Sequence, residues 1–232
     1  MPNMNETFLA KIVQPIVFVI NTSGSMVGSK CGYLNEAMDK AIRYINELFN
    51  DSDYSANVSV LLYNVKTQWI PEQQMISSED FEWIDVQCGG ASYMGTAMIE
   101  LEKNLNKNNL LFGMDSGFFY PIIIWITSMT CSDFDYDSFT YGLSRLKNNH
   151  FFNSSRKIGI AYSDDGNVNE VSNNLSNNLG LDSIICIKDD LIYPAIKKAL
   201  DVALDLKSWQ DGTLINKDKI NLVNKMFLGK DN

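Results

Sequence analysis

Pro15-Ile16-Val17-Phe18-Val19-Ile20-Asn21-Thr22-Ser23-Gly24-Ser25-Met26 passes abruptly from an apolar run to a turn of hydroxyl and glycine residues. A strand buried on both faces of a parallel sheet has this continuous apolar character, because neither of its faces alternates toward water. Beyond the turn, Leu34, Ala37, Met38, Ala41, Ile42, Ile45 and Leu48 recur at three- and four-residue spacing within Tyr33–Phe49. That period gathers them on one face of a helix. The unit is a buried strand, a polar loop and an amphipathic helix.

The same alternation continues along the chain. Val58–Tyr63, Pro121–Ile126, Ile158–Tyr162 and Ser183–Ile187 read as further strands, and Lys66–Ile70 as an edge strand following a hairpin from Val58–Tyr63. Met94–Leu105, Ser138–Leu146, Val168–Leu179 and Leu191–Leu206 have helical length and spacing. Strands alternating with helices predict an α/β fold: a doubly wound, mostly parallel open sheet flanked by helices, with one antiparallel edge strand. Ligands in such sheets bind outside the carboxyl ends of the strands. The loops to inspect are therefore Asn21–Gly32, Gln87–Ser92 and Thr127–Asp137. Residues 1–13 read as an N-terminal extension, 14–206 as one domain, and 207–232 as a polar tail. In the tail, Ile215, Ile220, Leu222, Val223, Met226 and Phe227 predict a final docked helix.

With 232 residues, 45% of them hydrophobic, the chain can bury one sizeable core. Its formal net charge of −9 leaves no basic surplus to displace counterions, which argues against a nucleic-acid partner. The apolar run Ile16–Ile20 is strand-sized, and Met1–Gln14 lacks the basic flank and long apolar stretch of a signal peptide. No membrane span and a cytoplasmic location are expected. The cysteines Cys31, Cys88, Cys131 and Cys186 include no CxxC pair, so free thiols are expected. Cys31, Cys88 and Cys131 fall in or beside the three loops, where thiols could bind a soft metal or form a redox pair. No chelating spacing supports a thiol site, and burial as small hydrophobes is the simpler expectation. His150, the single histidine, follows Lys147 and two asparagines and reads as a cationic partner of a helix C-terminus.

The first loop resembles the D-x-S-x-S motif of von Willebrand factor A domains, most closely the D-T-S-G-S-M form of the TerY-like bacterial group. Gly28, Leu34 and Asn35 fall where that group's helix begins. Gly89-Gly90-Ala91-Ser92-Tyr93-Met94-Gly95-Thr96-Ala97-Met98 is similar to the G-G-x-T-x-L-G-x-A-L segment that supplies the site's threonine. Ile123-Ile124-Trp125-Ile126-Thr127-Ser128-Met129-Thr130-Cys131-Ser132-Asp133 is similar to the strand ending in T-D-G-x-P-T-D. The likeness covers roughly residues 14–205. A lone S-x-S is weak, but matching loops in the right order on a doubly wound pattern are specific.

The resemblance implies a metal-ion-dependent adhesion site holding magnesium or manganese through serine and threonine hydroxyls and aspartates. One position is left for a partner's carboxylate. Ser23 and Ser25 match the two serines and Ser92 keeps the threonine's hydroxyl, whereas Asn21 and Ser128 stand where aspartates belong. Both formal charges of the inner site are thereby lost, and with them what offsets dehydration of a divalent cation. The expectation is a degenerate site with weak or no metal affinity, unless a partner carboxylate or Asp133 restores charge.

The function expected is protein–protein binding through Ser23, Ser25, Ser92, Tyr93 and Asp133. In the TerY-like group such domains occur in tellurite-resistance and stress-response or defence settings, beside a PP2C-type phosphatase and a protein kinase. Two other functional classes compete with this reading. A hydrolase or transferase would need paired carboxylates, which only Asp133, Asp135 and Asp137 offer, and no serine–histidine–acid set or phosphate-cradling glycine loop accompanies them. Those aspartates have the alternate spacing of an EF-hand opening, but Ser138 and Ser144 replace its glycine and glutamate. Charging the start of the following helix explains them. A structural subunit using helix faces or the Lys207–Asn232 tail is the other class. Asp164-Asp165-Gly166-Asn167 reads as a turn and helix cap, and Trp125 and Cys186 as core.

Overall fold

A computed structural model describes residues 11–72, 74–114, 117–128, 136–162 and 179–204. The opening run forms β1 (Ile12–Asn21), which a 3-10 turn (Gly24–Met26) connects to α1 (Ser29–Phe49). β2 (Tyr54–Tyr63) follows, with two short strands, β3 (Thr67–Ile70) and β4 (Ile76–Ser77). Then come α2 (Met94–Asn104), β5 (Ile122–Ser128), α3 (Tyr136–Asn148) and α4 (His150–Ser154). β6 (Arg156–Tyr162), β7 (Ser183–Ile187) and α5 (Ile192–Ala203) complete the described residues.

The strand order is β3-β2-β1-β5-β6-β7, with β4 also on β2. β1 pairs parallel with both β2 and β5, whereas β3 and β4 run antiparallel to β2. This is the predicted architecture, a mostly parallel α/β sheet with an antiparallel edge. Side-chain alternation sends Ile16, Phe18 and Ile20 into one core with α1 and α5, and Val17 and Val19 into the other with α2 and α3. Both faces of Ile16–Ile20 within β1 are dry, which is why that stretch is apolar without a break.

The connections place a topological switch at β1. The chain leaves β1 through α1 toward β2, then returns through α2 to β5 on β1's other side. The loops after β1 and β5 therefore diverge, and a crevice opens at their carboxyl ends. Register aligns its walls: Asn21 pairs with Tyr63 of β2, and Ile20 pairs with Ile126, one residue before Thr127.

Some expectations are corrected. Cys31 and Cys88 are not free thiols but form a disulfide with Cα atoms 6.1 Å apart, a normal bridging separation. They lie 57 residues apart in sequence and meet only because α1 packs beside the strand-to-helix segment before α2, which spacing cannot reveal. His150 does follow a helix end, that of α3 at Asn148, but it opens α4 after the cap residue Asn149, and its ring meets the Tyr120 hydroxyl at 3.3 Å. Trp125 and Cys186 are buried as expected, and burial pushes the Cys186 thiol up to about 11. β4 and α4 were not foreseen, because two to five residues carry too little periodicity. Val168–Leu179 (all but its last residue), the 164–167 turn, Cys131, Asp133, Asp135 and the tail helix over 207–232 lie outside the described residues.

Candidate functional site

Asn21 ends β1 with no solvent exposure. Its Oδ1 accepts the Ser23 backbone N–H at 2.8 Å, so the side chain closes the turn that follows the strand. That bond also orients the amide: Nδ2 donates to Ser92 Oγ at 3.3 Å and to Thr127 Oγ1 at 3.4 Å. One neutral side chain thus ties together all three loops predicted to carry the site.

The hydroxyls continue the cluster. Ser23 Oγ and Ser25 Oγ are 2.9 Å apart, and Ser128 Oγ donates to Ser25 Oγ. Thr127 Oγ1 donates to the Ser128 carbonyl at 3.1 Å and accepts from Tyr63 at 3.2 Å. The Tyr63 hydroxyl in turn accepts from Trp125 Nε1 at 3.3 Å, so the network runs from the loops into the core. Asn21, Ser23, Ser25, Tyr63, Trp125, Thr127 and Ser128 each find a neutral hydrogen-bond partner in this network, as a dry environment demands.

Backbone contacts lock the loops in register. Gly24 N–H donates to Gly90 O at 2.7 Å, and Gly89 N–H donates to Thr22 O at 2.8 Å. A Cβ on Gly24 would stand 3.2 Å from that same carbonyl, which explains the glycine between the two serines. Gly90 has φ +79°, and a Cβ there would come within 2.8 Å of Val65. Further along, the Asn35 carboxamide accepts from Val86 N at 2.9 Å and Trp83 Nε1 at 3.3 Å, and donates to Val86 O at 3.1 Å. It staples the segment before Cys88 onto α1.

Ser23, Ser25, Ser92, Asn21 and Ser128 are thus together. Asn21, Ser23, Ser92 and Ser128 are buried and form a floor; Ser25 is half-buried and Tyr93 is 39% exposed. Asp137 lies exposed in the first turn of α3. Among the described residues no group of three or more His, Cys, Asp or Glu side chains could hold a metal. Sequence reasoning did not single out Val27 and Val65, which are exposed (57% and 50%) in the loops that follow β1 and β2. Apolar residues inside polar loops were the available signal. It also missed the Thr127–Tyr63–Trp125 chain, whose members are separate in sequence and meet only through sheet register.

Solved structures share this arrangement of strands and helices. Proximal thread matrix protein 1 from the mussel byssus aligns with a TM-score of 0.55 at 12% identity, over 83% of this chain and 46% of its own. The pilus adhesin SpaC from Lactobacillus rhamnosus GG aligns with a TM-score of 0.57 at 11% identity, over 94% of this chain and 31% of its own. What is shared is the fold, a mostly parallel α/β sheet flanked by helices. An aerotolerance-related membrane protein from Bacteroides fragilis aligns with a TM-score of 0.48 at 11% identity, over 83% of this chain and 98% of its own. This chain spans about half the length of the mussel protein and a third of the adhesin. At such identities the likeness carries the fold alone. No protein-family model matches the sequence, and no curated protein matches it. Among the described residues no helix is long and apolar enough to cross a membrane.

Proposed function

We propose that this von Willebrand factor A-like domain binds another protein through the loops at the carboxyl ends of β1, β2 and β5, without a resident divalent metal. The observation that carries the reading is the Asn21 amide. Its Nδ2 donates to Ser92 and Thr127, filling with a hydrogen-bond donor the space between hydroxyls that a cation would otherwise join. Ser23, Ser25 and Ser128 likewise satisfy one another. A hard cation needs anionic oxygen to offset its dehydration, and the described floor offers only neutral groups. This donor set does not fit magnesium or manganese. Partner contact then falls to Ser25, Tyr93 and the apolar rim of Val27 and Val65, with Ser23 and Ser92 holding the floor's shape. Asp133 belongs to the same loop region by sequence.

The reading assigns no catalysis. His150 precedes β6 and Tyr120 precedes β5, so their pairing lies at the opposite end of the parallel strands from the hydroxyl floor. The adhesin and matrix proteins of similar fold are in keeping with an interaction role. The TerY-like loop sequences suggest a cytoplasmic stress-response or defence complex, in which a PP2C-type phosphatase and a protein kinase are the first partners to try.

Calorimetric titration with magnesium and manganese, on the wild type beside Asn21→Asp/Ser128→Asp, tests the reading. We expect no heat from the wild type and saturable binding by the double variant. Clear binding by the wild type would overturn the metal-free floor. So would capture of the phosphatase or kinase that disappears in excess chelator, since the site would then be completed by metal and a partner carboxylate.

A further inference from the structure

We propose that the Cys31–Cys88 disulfide is a reversible latch on this binding face, opened by a thiol reductant of the glutathione or dithiol class and closed by the corresponding disulfide. The proposal rests on the loop tips being the binding face. Cys31 lies in the first turn of α1, and Cys88 immediately precedes Gly89 and Gly90 on the way to Ser92. The bond therefore joins the first site loop to the second. On one side of Cys88, Asn35 pins Trp83 and Val86 to α1. On the other, Gly89 and Gly90 make the backbone hydrogen bonds to Thr22 and Gly24 that bring the loops into register.

The location is that of a control element and not of a core staple. The two hydrophobic cores are extensive; Cys88 packs only as a partly buried residue against the edge of one, and Cys31 belongs to neither. A domain of this size has enough buried surface to fold without a cross-link. Both cysteines are only half-buried, and the neighbouring Gly32 and Gln87 are exposed, so a small thiol can reach the bond. Cys186 is fully buried and its thiol is held protonated, which removes it from exchange.

The chemistry is ordinary thiol–disulfide exchange. An external thiolate attacks one protein sulfur, the S–S bond breaks, and the other sulfur leaves as a thiolate that takes a proton from water. A second reductant thiol attacks the mixed disulfide and releases the remaining protein thiol. The protein gains two electrons and two protons, and the reductant departs as its own disulfide. A Cys31 leaving group would sit in the first turn of α1, where unpaired backbone N–H groups favour an anion. Once the bond opens, Gly89 and Gly90, which have no side chains to pack, hold the junction through backbone hydrogen bonds alone. Ser92 is then freer to move relative to Asn21.

The test equilibrates the full chain in glutathione buffers of graded reduced-to-oxidised ratio and follows the pair by alkylation and mass spectrometry. Amide hydrogen exchange is measured in each state. The expected result is a two-electron transition within the buffer series, with exchange at the Gly24, Gly89 and Tyr93 amides, which donate the backbone hydrogen bonds of this junction, at least about tenfold faster on reduction while α5 is unchanged. Cys31→Ser/Cys88→Ser should exchange fast in every buffer, and Cys186→Ser should follow the wild type. Three outcomes overturn the latch: a bond that survives excess reduced glutathione, unchanged exchange at those amides after reduction, or accelerated exchange in α5 as well, which marks a global staple. The metal titrations use oxidised protein, so failure of the metal-free reading is read independently of this result.

Discussion

At the residue scale the chemistry turns on Asn21. An aspartate in its place would have accepted the Ser23 N–H equally well, but only an amide can also donate to Ser92 and Thr127. An aspartate would bring a charge to these hydroxyls, whereas the amide brings them a neutral hydrogen-bond donor. Asn21→Ala removes both functions and leaves the buried Ser23 N–H without its acceptor. The expected cost is about 2 kcal/mol of folding stability, read from the midpoint of urea unfolding. An unchanged midpoint would mean that the amide does not hold the loop.

At the element scale, two glycines decide how closely α2 and α3 approach. A Cβ on Gly95 would fall 2.4–2.6 Å from backbone atoms of Ser138 and Phe139, and one on Gly142 would fall 2.6 Å from the Gly95 carbonyl. The helices therefore touch backbone to backbone, and α3 carries with it the end of the third site loop. Gly142→Ala or Gly95→Ala should destabilise the domain by about 1–3 kcal/mol, with Gly95→Ala the more damaging because its obstacles are all backbone. Denaturant unfolding of the two variants checks the order. In sequence Gly95 already stood in the segment that resembles von Willebrand factor A domains; that it serves helix packing was not legible there.

At the scale of the whole molecule, protons link the fold to pH. Tyr162 ends β6 with its hydroxyl buried and without a hydrogen-bond partner among the described residues. Burial, and secondarily the charge of Asp189, push its phenol well above the ordinary 10. The unfolded phenol ionises near 10 while the folded one stays neutral, so unfolding releases a proton above that pH. Stability from this group is complete below about pH 10 and falls by about 1.4 kcal/mol per further pH unit. Tyr162→Phe should match or exceed the wild type at about pH 8 and lose less stability toward pH 11. Urea midpoints of the two proteins across that range are the check.

The longer strands and helices, and the place of the hydroxyl-rich loops at the carboxyl ends of the strands, were written in local pattern. Continuous apolar runs in β1 and β5, short and rich in Ile and Val, read as strands dry on both sides, and the turn of small hydroxyl residues after Ile20 marks where the first of them ends. Those signals depend on neighbours within a few residues, so periodicity carries them. What Asn21 does with its amide, that Cys31 meets Cys88, and that Tyr63 and Trp125 extend the site into the core depend on residues far apart in the chain. Strand register and helix packing bring these together, and no local pattern encodes a contact whose partners are set by the closing of the fold.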